Sequence, residues 1–470
     1  MKIGVVNISS IPTDDLRIDP SSHLSEGVEV RAILKKYPNG LKIVSKLSKS
    51  IFYGNIFTRV FVKDKEHGLT YLSPSDTVKA NIETGKYLSK VQAQQLGYLM
   101  LEKDWILVTC SGTLGCVIFT NNTFNNKIAT HDLIRVIPSD PLFKKGCLYA
   151  FLASRFGYYQ LTQSRFGGVV KHINEEQVGS VLVPNFPEIF QNEVNDLIIG
   201  TARLREEATM MLKEADDLLK EKSGLKELCS DDYDYFGPRS AERKVSCFTL
   251  SIKDIGTTTI NAFNHSERIR KLKESICIQT IPIKSALKEG RTYGTSGLPN
   301  IEVKPGRGIM LINQKDMFDN IVKGKWISSR GSDPTNVVDY GEILIACDGT
   351  LGENELFCRC VFANEDLKGS YVSSHFLRLK VNDVVPAGYL YCWLNSDYGF
   401  RLIRNTQAGT KLCHPINKLF LEIPVPIIDK DSINEIDSLV REAHTKRHQA
   451  NQMELKAIRM VEEEIEKWNN

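Results

Sequence analysis

Two short strings hold the residue types in this chain that could do chemistry, and each string occurs twice. The first is Gly112-Thr113-Leu114-Gly115 within TCSGTLGC (109–116), which returns as Gly349-Thr350-Leu351-Gly352 within ACDGTLGE (346–353). Both follow apolar runs, WILVTC and EILIAC, of the kind that form strands. Glycines so placed permit a tight turn with positive φ. The same turn, carrying Thr113 or Thr350, also lets backbone approach a phosphate. The second string is a loop running from Gly through Lys and His to Ile-Asn: GGVVKHIN (167–174) and GTKLCHPIN (409–417). Arg165, Lys171 and His172 accompany the first copy, and Arg404, Lys411 and His414 the second. Solvated loop charge has this composition. So does a surface that touches nucleic acid, because Lys and Arg beside Gln163, Asn405 and Gln407 are the side chains that meet phosphates and base edges.

Other chemistry is missing from the text. No G-x-x-x-x-G-K-[ST] phosphate loop, G-x-S-x-G, H-E-x-x-H or dinucleotide G-x-G-x-x-G after a strand occurs. No proline is followed by Asp, which argues against the Pro-Asp-led nuclease motif, and no Asp/Asn-Pro-Pro-aromatic string of amino-methyltransferases is present. The eleven cysteines are scattered without a C-x-x-C, so structural thiols in a reducing cytoplasm are expected rather than zinc ligands or disulfides. No apolar run approaches the ~18–20 residues of a membrane helix, and the start, MKIGVVNISSIPTDD, is not a secretory signal.

The duplicated strings belong to a longer repeat. GCLYAFLASRFGYYQL (146–161) matches GYLYCWLNSDYGFRL (388–402) and reads as a helix within a mixed domain. Val183-Pro184 returns as Val425-Pro426, and residues 192–215 align without gaps to 434–457. Five ordered blocks at nearly one offset mean two copies of a unit of about half the chain, whose 470 residues exceed one ordinary core. Each copy is a mixed domain followed by a long helix: 1–186 then 187–229, and 230–428 (with a joint at 230–258) then 429–470. The expected class is α+β, two mixed α/β domains in tandem separated by two long helices.

Both helices lack internal proline and are rich in Glu, Lys, Leu and Ala. A 4-3-4-3 spacing picks out Leu197, Thr201, Leu204, Ala208, Met211, Ala215 and Leu218 in the first, and Leu439, Ala443, Lys446, Ala450, Met453, Ala457 and Met460 in the second. Each helix could pack on its own domain, but so narrow a stripe suits a partner helix better, and its alanines allow close approach. Thr201 and Lys446 read as blemishes in the seam, and Asp429 or Ser432 as caps of the second helix. Charge divides the same way. The net charge of +3 splits into −4 over 187–229, −3 over 429–470 and +10 elsewhere, so basic domains join acidic helices. Solvated surface accounts for such charge, and so does a polyanionic partner.

This duplicated order resembles the specificity subunit of type I restriction–modification enzymes. The strand–GTLG turns, the Gly-Lys-His-Ile-Asn loops, the Val-Pro exits and the two seams carry the resemblance, which covers essentially the whole chain. It implies that each mixed domain is a target recognition domain reading half of a split DNA sequence. It also implies that the helices pair as an antiparallel coiled coil, space the domains and hold two methyltransferase subunits. Restriction subunits would then join. S-adenosylmethionine and ATP with Mg would be bound by those partners, with no cofactor, metal or catalytic site in this chain. The implied DNA contacts are Thr113, Arg165, Lys171, His172, Thr350, Arg404, Lys411 and His414, and the implied pairing residues are Leu197, Leu204, Ala208, Met211, Leu439, Ala443, Ala450 and Met453. A recognition subunit of a related split-site enzyme outside type I, a DNA-acting enzyme with dispersed catalytic residues, and a protein-only scaffold are the alternatives.

Overall fold

A computed structural model describes residues 23–63, 65–111, 114–139, 143–163, 172–229, 248–256, 258–299 and 301–468. The chain divides into two compact units, Met1–Glu206 with Gln449–Asn470, and Glu207–His448. The boundaries thus fall inside the two long helices rather than at their ends.

The first unit is built around one strand. It contains α1 (Glu26–Leu34), β1 (Leu41–Ile43), β2 (Ser48–Phe52), β3 (Phe61–Val62), β4 (Gly68–Leu72), β5 (Tyr87–Ser89), α2 (Lys90–Gln95), β6 (Ile106–Thr109), β7 (Val117–Phe119), β8 (Ile128–Ala129) and β9 (Leu133–Pro138). After these come α3 (Lys145–Ala153), α4 (Arg155–Gln163), α5 (Glu175–Gly179), β10 (Leu182–Pro184) and the long α6 (Glu188–Ser223). An antiparallel sheet runs β2-β9-β6-β7, and a second sheet runs β3-β5-β4-β8 with β4 and β8 parallel. All four residues of β6 are buried. Ile106 and Val108 face α3 and α4, whereas Leu107 faces Leu72 and Ala129 of the second sheet. Burial on both faces is why this strand reads as an unbroken apolar run instead of an alternation.

The second unit repeats the plan. Following α7 (Glu267–Glu274) come β11 (Thr280–Pro282), β12 (Ile309–Ile312), β13 (Lys325–Ile327), β14 (Ile343–Ala346), β15 (Cys360–Phe362), β16 (Tyr371–Val372) and β17 (Phe376–Leu379). Next are α8 (Ala387–Asn395), α9 (Asp397–Asn405), β18 (Gln407–Ala408), β19 (His414–Pro415), α10 (Asn417–Phe420), β20 (Pro424–Pro426) and the long α11 (Lys430–Glu466). Strand β14 takes the place of β6: Ile343 and Ile345 face the helices, while Leu344 and Ala346 face Ile312 and Val372. The Val-Pro exits close matching ribbons, Leu41 opposite Pro184 and Thr280 opposite Pro426.

One expectation is corrected. The segment 146–161, read as one helix, is two helices turning at Ser154, and its counterpart turns at Ser396. Each serine hydroxyl donates to a carbonyl three residues back (Ser154 Oγ to Phe151 O, 2.6 Å; Ser396 Oγ to Trp393 O, 2.6 Å). Each also accepts the amide of a glycine three residues on, Gly157 or Gly399, and so caps the next helix. A Cβ on Gly157 would lie 2.4 Å from Leu152 O, and one on Gly399 2.1 Å from Trp393 O, so only glycine permits the corner.

Within each unit a stretch of α6 packs beside a stretch of α11. In the first unit Phe186 lies 6.0 Å from Trp468 by ring centroids, and Thr201 Oγ1 is 3.2 Å from Ala450 O. In the second, Lys446 Nζ is 2.8 Å from Glu207. The Ser432 amide holds the Asp429 carboxyl below its usual range, and the charge of Lys222 adds a smaller effect in the same direction. In both units the numbering falls on one helix as it rises on the other, so the pairing is antiparallel. Ala208, Ala443 and Ala450 are fully buried, whereas Leu197, Leu204, Met211, Leu439 and Met453 are half-buried. Further residues pack on the mixed domains: Val194, Ile198, Val461 and Ile465 in one unit, and Leu219, Ile436 and Val440 in the other. Each helix therefore does what the two sequence readings treated as alternatives. Helix α6 stops at Ser223, where Gly224 adopts φ +62°, and Asp429 caps α11 by accepting the Ser432 amide at 2.9 Å.

The anchors between domain and helix are duplicated as well. Gly146 N donates to Asn195 Oδ1 at 3.0 Å, and Gly388 N to Asp437 Oδ1 at 2.7 Å. Asn121 Nδ2 reaches Ala202 O, and Asn364 Nδ2 reaches His444 O, both at 3.3 Å.

Candidate nucleic-acid interface

The two repeated strings meet in space in both units. In the first, Ser111 at the end of β6 pairs with His172 in an antiparallel bridge, and Ile173 N donates to Cys110 O at 3.2 Å. The turn closes when Gly115 N donates to Thr109 O at 3.0 Å, with Gly115 at φ +72°. Helix α4 backs it: a Cβ on Gly115 would meet Thr162 at 3.1 Å and Tyr158 at 3.3 Å. In the second unit Gly349 pairs with Cys413, whose amide donates to Gly349 O at 2.7 Å. Here the need for glycine is proximity, since a Cβ on Gly349 would lie 3.1 Å from that of Phe357 and neither Gly349 nor Gly352 has positive φ.

Of the eight expected contact residues, Thr113, Arg165 and Lys171 lie outside the described residues. His172 is half-buried on the bridge, and Thr350, Lys411 and His414 are exposed. Arg404 requires correction: its side chain is 0% exposed. The guanidinium Nη2 donates to Gly352 O at 2.5 Å, and its centre sits 4.3 Å from the Phe400 ring centroid. Arg404 braces the turn from inside and does not face solvent. Arg359 joins the same brace, donating to Glu353 O at 2.7 Å, and Arg401 pairs with the Glu353 carboxylate at 3.0 Å. Burial lowers the pKa of Arg404, and lowers that of Arg359 to about 10 with a further push from Arg404. Arginine close before the Gly-to-Ile-Asn loop reads as a phosphate contact in sequence; in the fold it lies on α9 and turns inward to the Phe400 ring.

Two residues that the sequence did not single out stand at this surface. Asp348, at the end of β14, accepts from His375 Nδ1 on one carboxylate oxygen and from His414 Nδ1 on the other. Both imidazoles are more than half exposed, at 56% and 54%, whereas Asp348 is 15% exposed. Gln314 Nε2 fixes the Asp348 carbonyl at 2.7 Å. Neighbouring Cys347 has its pKa raised to about 12, by burial first and then by the Asp348 charge. In the first unit Ser111 occupies the aligned position of Asp348, and Asp132 that of His375.

Among the described residues no group of His, Cys, Asp and Glu could hold a metal ion, and no helix is long and apolar enough to cross a membrane.

No protein-family model and no curated protein matches the chain. Among solved structures, a type I restriction–modification S subunit from M. genitalium is 14% identical, with 92% of each chain covered and a TM-score of 0.34. The HsdS subunit from Thermoanaerobacter tengcongensis is 11% identical over 92% of this chain and 96% of that one, at TM-score 0.27. The type IIG restriction endonuclease BpuSI matches 38% of this chain and 28% of its own, at 8% identity and TM-score 0.28.

Proposed function

We propose that this chain is a non-catalytic, sequence-specific DNA-binding subunit of a type I restriction–modification complex, reading a bipartite target with two similar surfaces. One observation carries the reading: the turn after the central strand and the Gly-to-Ile-Asn loop are brought together twice, by Ser111 with His172 and by Gly349 with Cys413. A single small ligand needs one such surface; a split, linear target needs two. The net +10 outside the helical segments supports a polyanion as that target. Thr113, Arg165, Lys171, His172, Thr350, Lys411 and His414 are the proposed contacts.

Under this reading the complex lies in the cytoplasm. Two methyltransferase subunits and the restriction subunits supply catalysis, binding S-adenosylmethionine and ATP with Mg. The helices carry those partners and space the two readers.

Methylome sequencing of cells with and without the gene tests the proposal, and a two-part adenine-methylated motif that appears only with the gene is the expected result. Exchange of one reader then tests modularity. The first unit includes Gln449–Asn470, so residues 1–206 and 449–470 should be exchanged together. One half of the motif should change and the other persist; simultaneous change of both halves would refute separable readers.

A further inference from the structure

We infer that His375 and His414, oriented by Asp348, form a proton-gated contact to a DNA backbone phosphate in the second unit. The inference rests on the DNA-binding reading above and names a site within it.

Three segments distant in sequence converge here: the end of β14, the turn between β16 and β17, and the closing loop before α10. Each imidazole spends its Nδ1 on a different oxygen of the Asp348 carboxylate. A carboxylate is an acceptor only, so each Nδ1 must carry the hydrogen. In a neutral imidazole that leaves Nε2 as a bare acceptor, which a phosphate repels. In a protonated one Nε2 bears a hydrogen and presents a charged donor, which a phosphate binds. The shared carboxylate therefore fixes the tautomer and makes protonation the event that turns each exposed imidazole edge from acceptor to donor.

The charged and titratable groups on the three segments are Cys347 and Asp348 on the strand end, His375 on the turn, and Lys411, Cys413 and His414 on the closing loop. Cys347 stays a neutral thiol at neutral and mildly acidic pH, because burial and the Asp348 charge raise its pKa to about 12. Burial likewise raises the Cys413 thiol. Lys411 is a fixed positive charge three residues before His414, so protonation adds to an existing cation. The first unit has Ser111 and Asp132 at the positions of Asp348 and His375, and so lacks the pair.

The test uses the full chain and a fluorescein-labelled 40-base-pair duplex of mixed sequence, titrated across salt at pH 5.5 and pH 8. Each phosphate contact contributes about −0.9 to the slope of log K against log salt. The wild-type slope is expected to be steeper at pH 5.5 by about 1 to 2. In the H375Q/H414Q variant the difference between the two pH values should shrink toward zero, with circular dichroism confirming the fold. Lys411→Ala should flatten the slope equally at both pH values, as loss of a fixed charge does. Wild-type slopes that agree at the two pH values, or a double variant that keeps the full difference, overturn the histidine contact and leave DNA binding intact. A chain that binds no duplex at either pH overturns the DNA reading itself.

Discussion

The Thr201 hydroxyl is shared between its own helix, at Leu197 O (2.9 Å), and the opposite helix, at Ala450 O (3.2 Å). In sequence Thr201 looked like a flaw in an apolar seam. In the fold it is 3% exposed and forms a polar contact across the pair, where Ala450 brings the backbones close. Lys446, the other apparent flaw, bonds Glu207 in the same cross-helix manner. Thr201→Val keeps the shape and removes the donor. It should cost about 1 kcal/mol, lowering Tm by roughly 2–4 °C for a unit of this size, with the DNA motif unchanged. Differential scanning calorimetry checks it.

Duplicate corners should have duplicate sensitivities. Gly157→Ala and Gly399→Ala each push a methyl group against backbone carbonyls that cannot move aside. Each should destabilise by about 1–3 kcal/mol. An unchanged melt for either variant would mean that the corner tolerates a side chain.

Arg404 and Lys411 should separate stability from binding. Truncating the buried Arg404 to Ala empties space beside Phe400 and frees Gly352 O, a loss on the order of 2–4 kcal/mol. Its direct effect on the salt slope should be nil. Lys411→Ala should do the reverse, leaving the melt alone and flattening the slope by about 1. Fluorescence anisotropy across salt, alongside thermal melts, tells the two apart.

Thiol chemistry follows burial. Cys229 and Cys277 are exposed, while Cys147, Cys358 and Cys360 are buried. Iodoacetamide at pH 8 should label the first two well before the others, as read by mass spectrometry. Burial raises Cys110, Cys347 and Cys360 to about 12 from an ordinary value of 9.0. The folded chain therefore holds these protons more tightly than the unfolded one. Their contribution to stability is complete below about pH 9 and is lost as pH rises from there toward 12. Tyr149, raised by burial and by the Glu454 charge, acts in the same direction above its ordinary range. Tm measured from pH 7 to 11 should hold and then fall, and a rise above pH 9 would contradict this.

The sequence by itself determined what is local or copied. Repeated text revealed two units, an apolar run such as Ile343–Ala346 marked a strand, and helical spacing put Ala208, Ala443 and Ala450 on one stripe of each long helix. These follow from backbone periodicity, which neighbouring residues alone fix. Tertiary structure decided the rest. Whether Arg404 faced water or the Phe400 ring depended on which side of α9 the turn lay, and nothing near residue 404 in sequence states that. Only chain folding could bring Asp348 between His375 and His414, because the three lie on separate segments with no shared period. A hydrogen-bonded cluster of that kind is a property of distances in space, and a linear text records none of them.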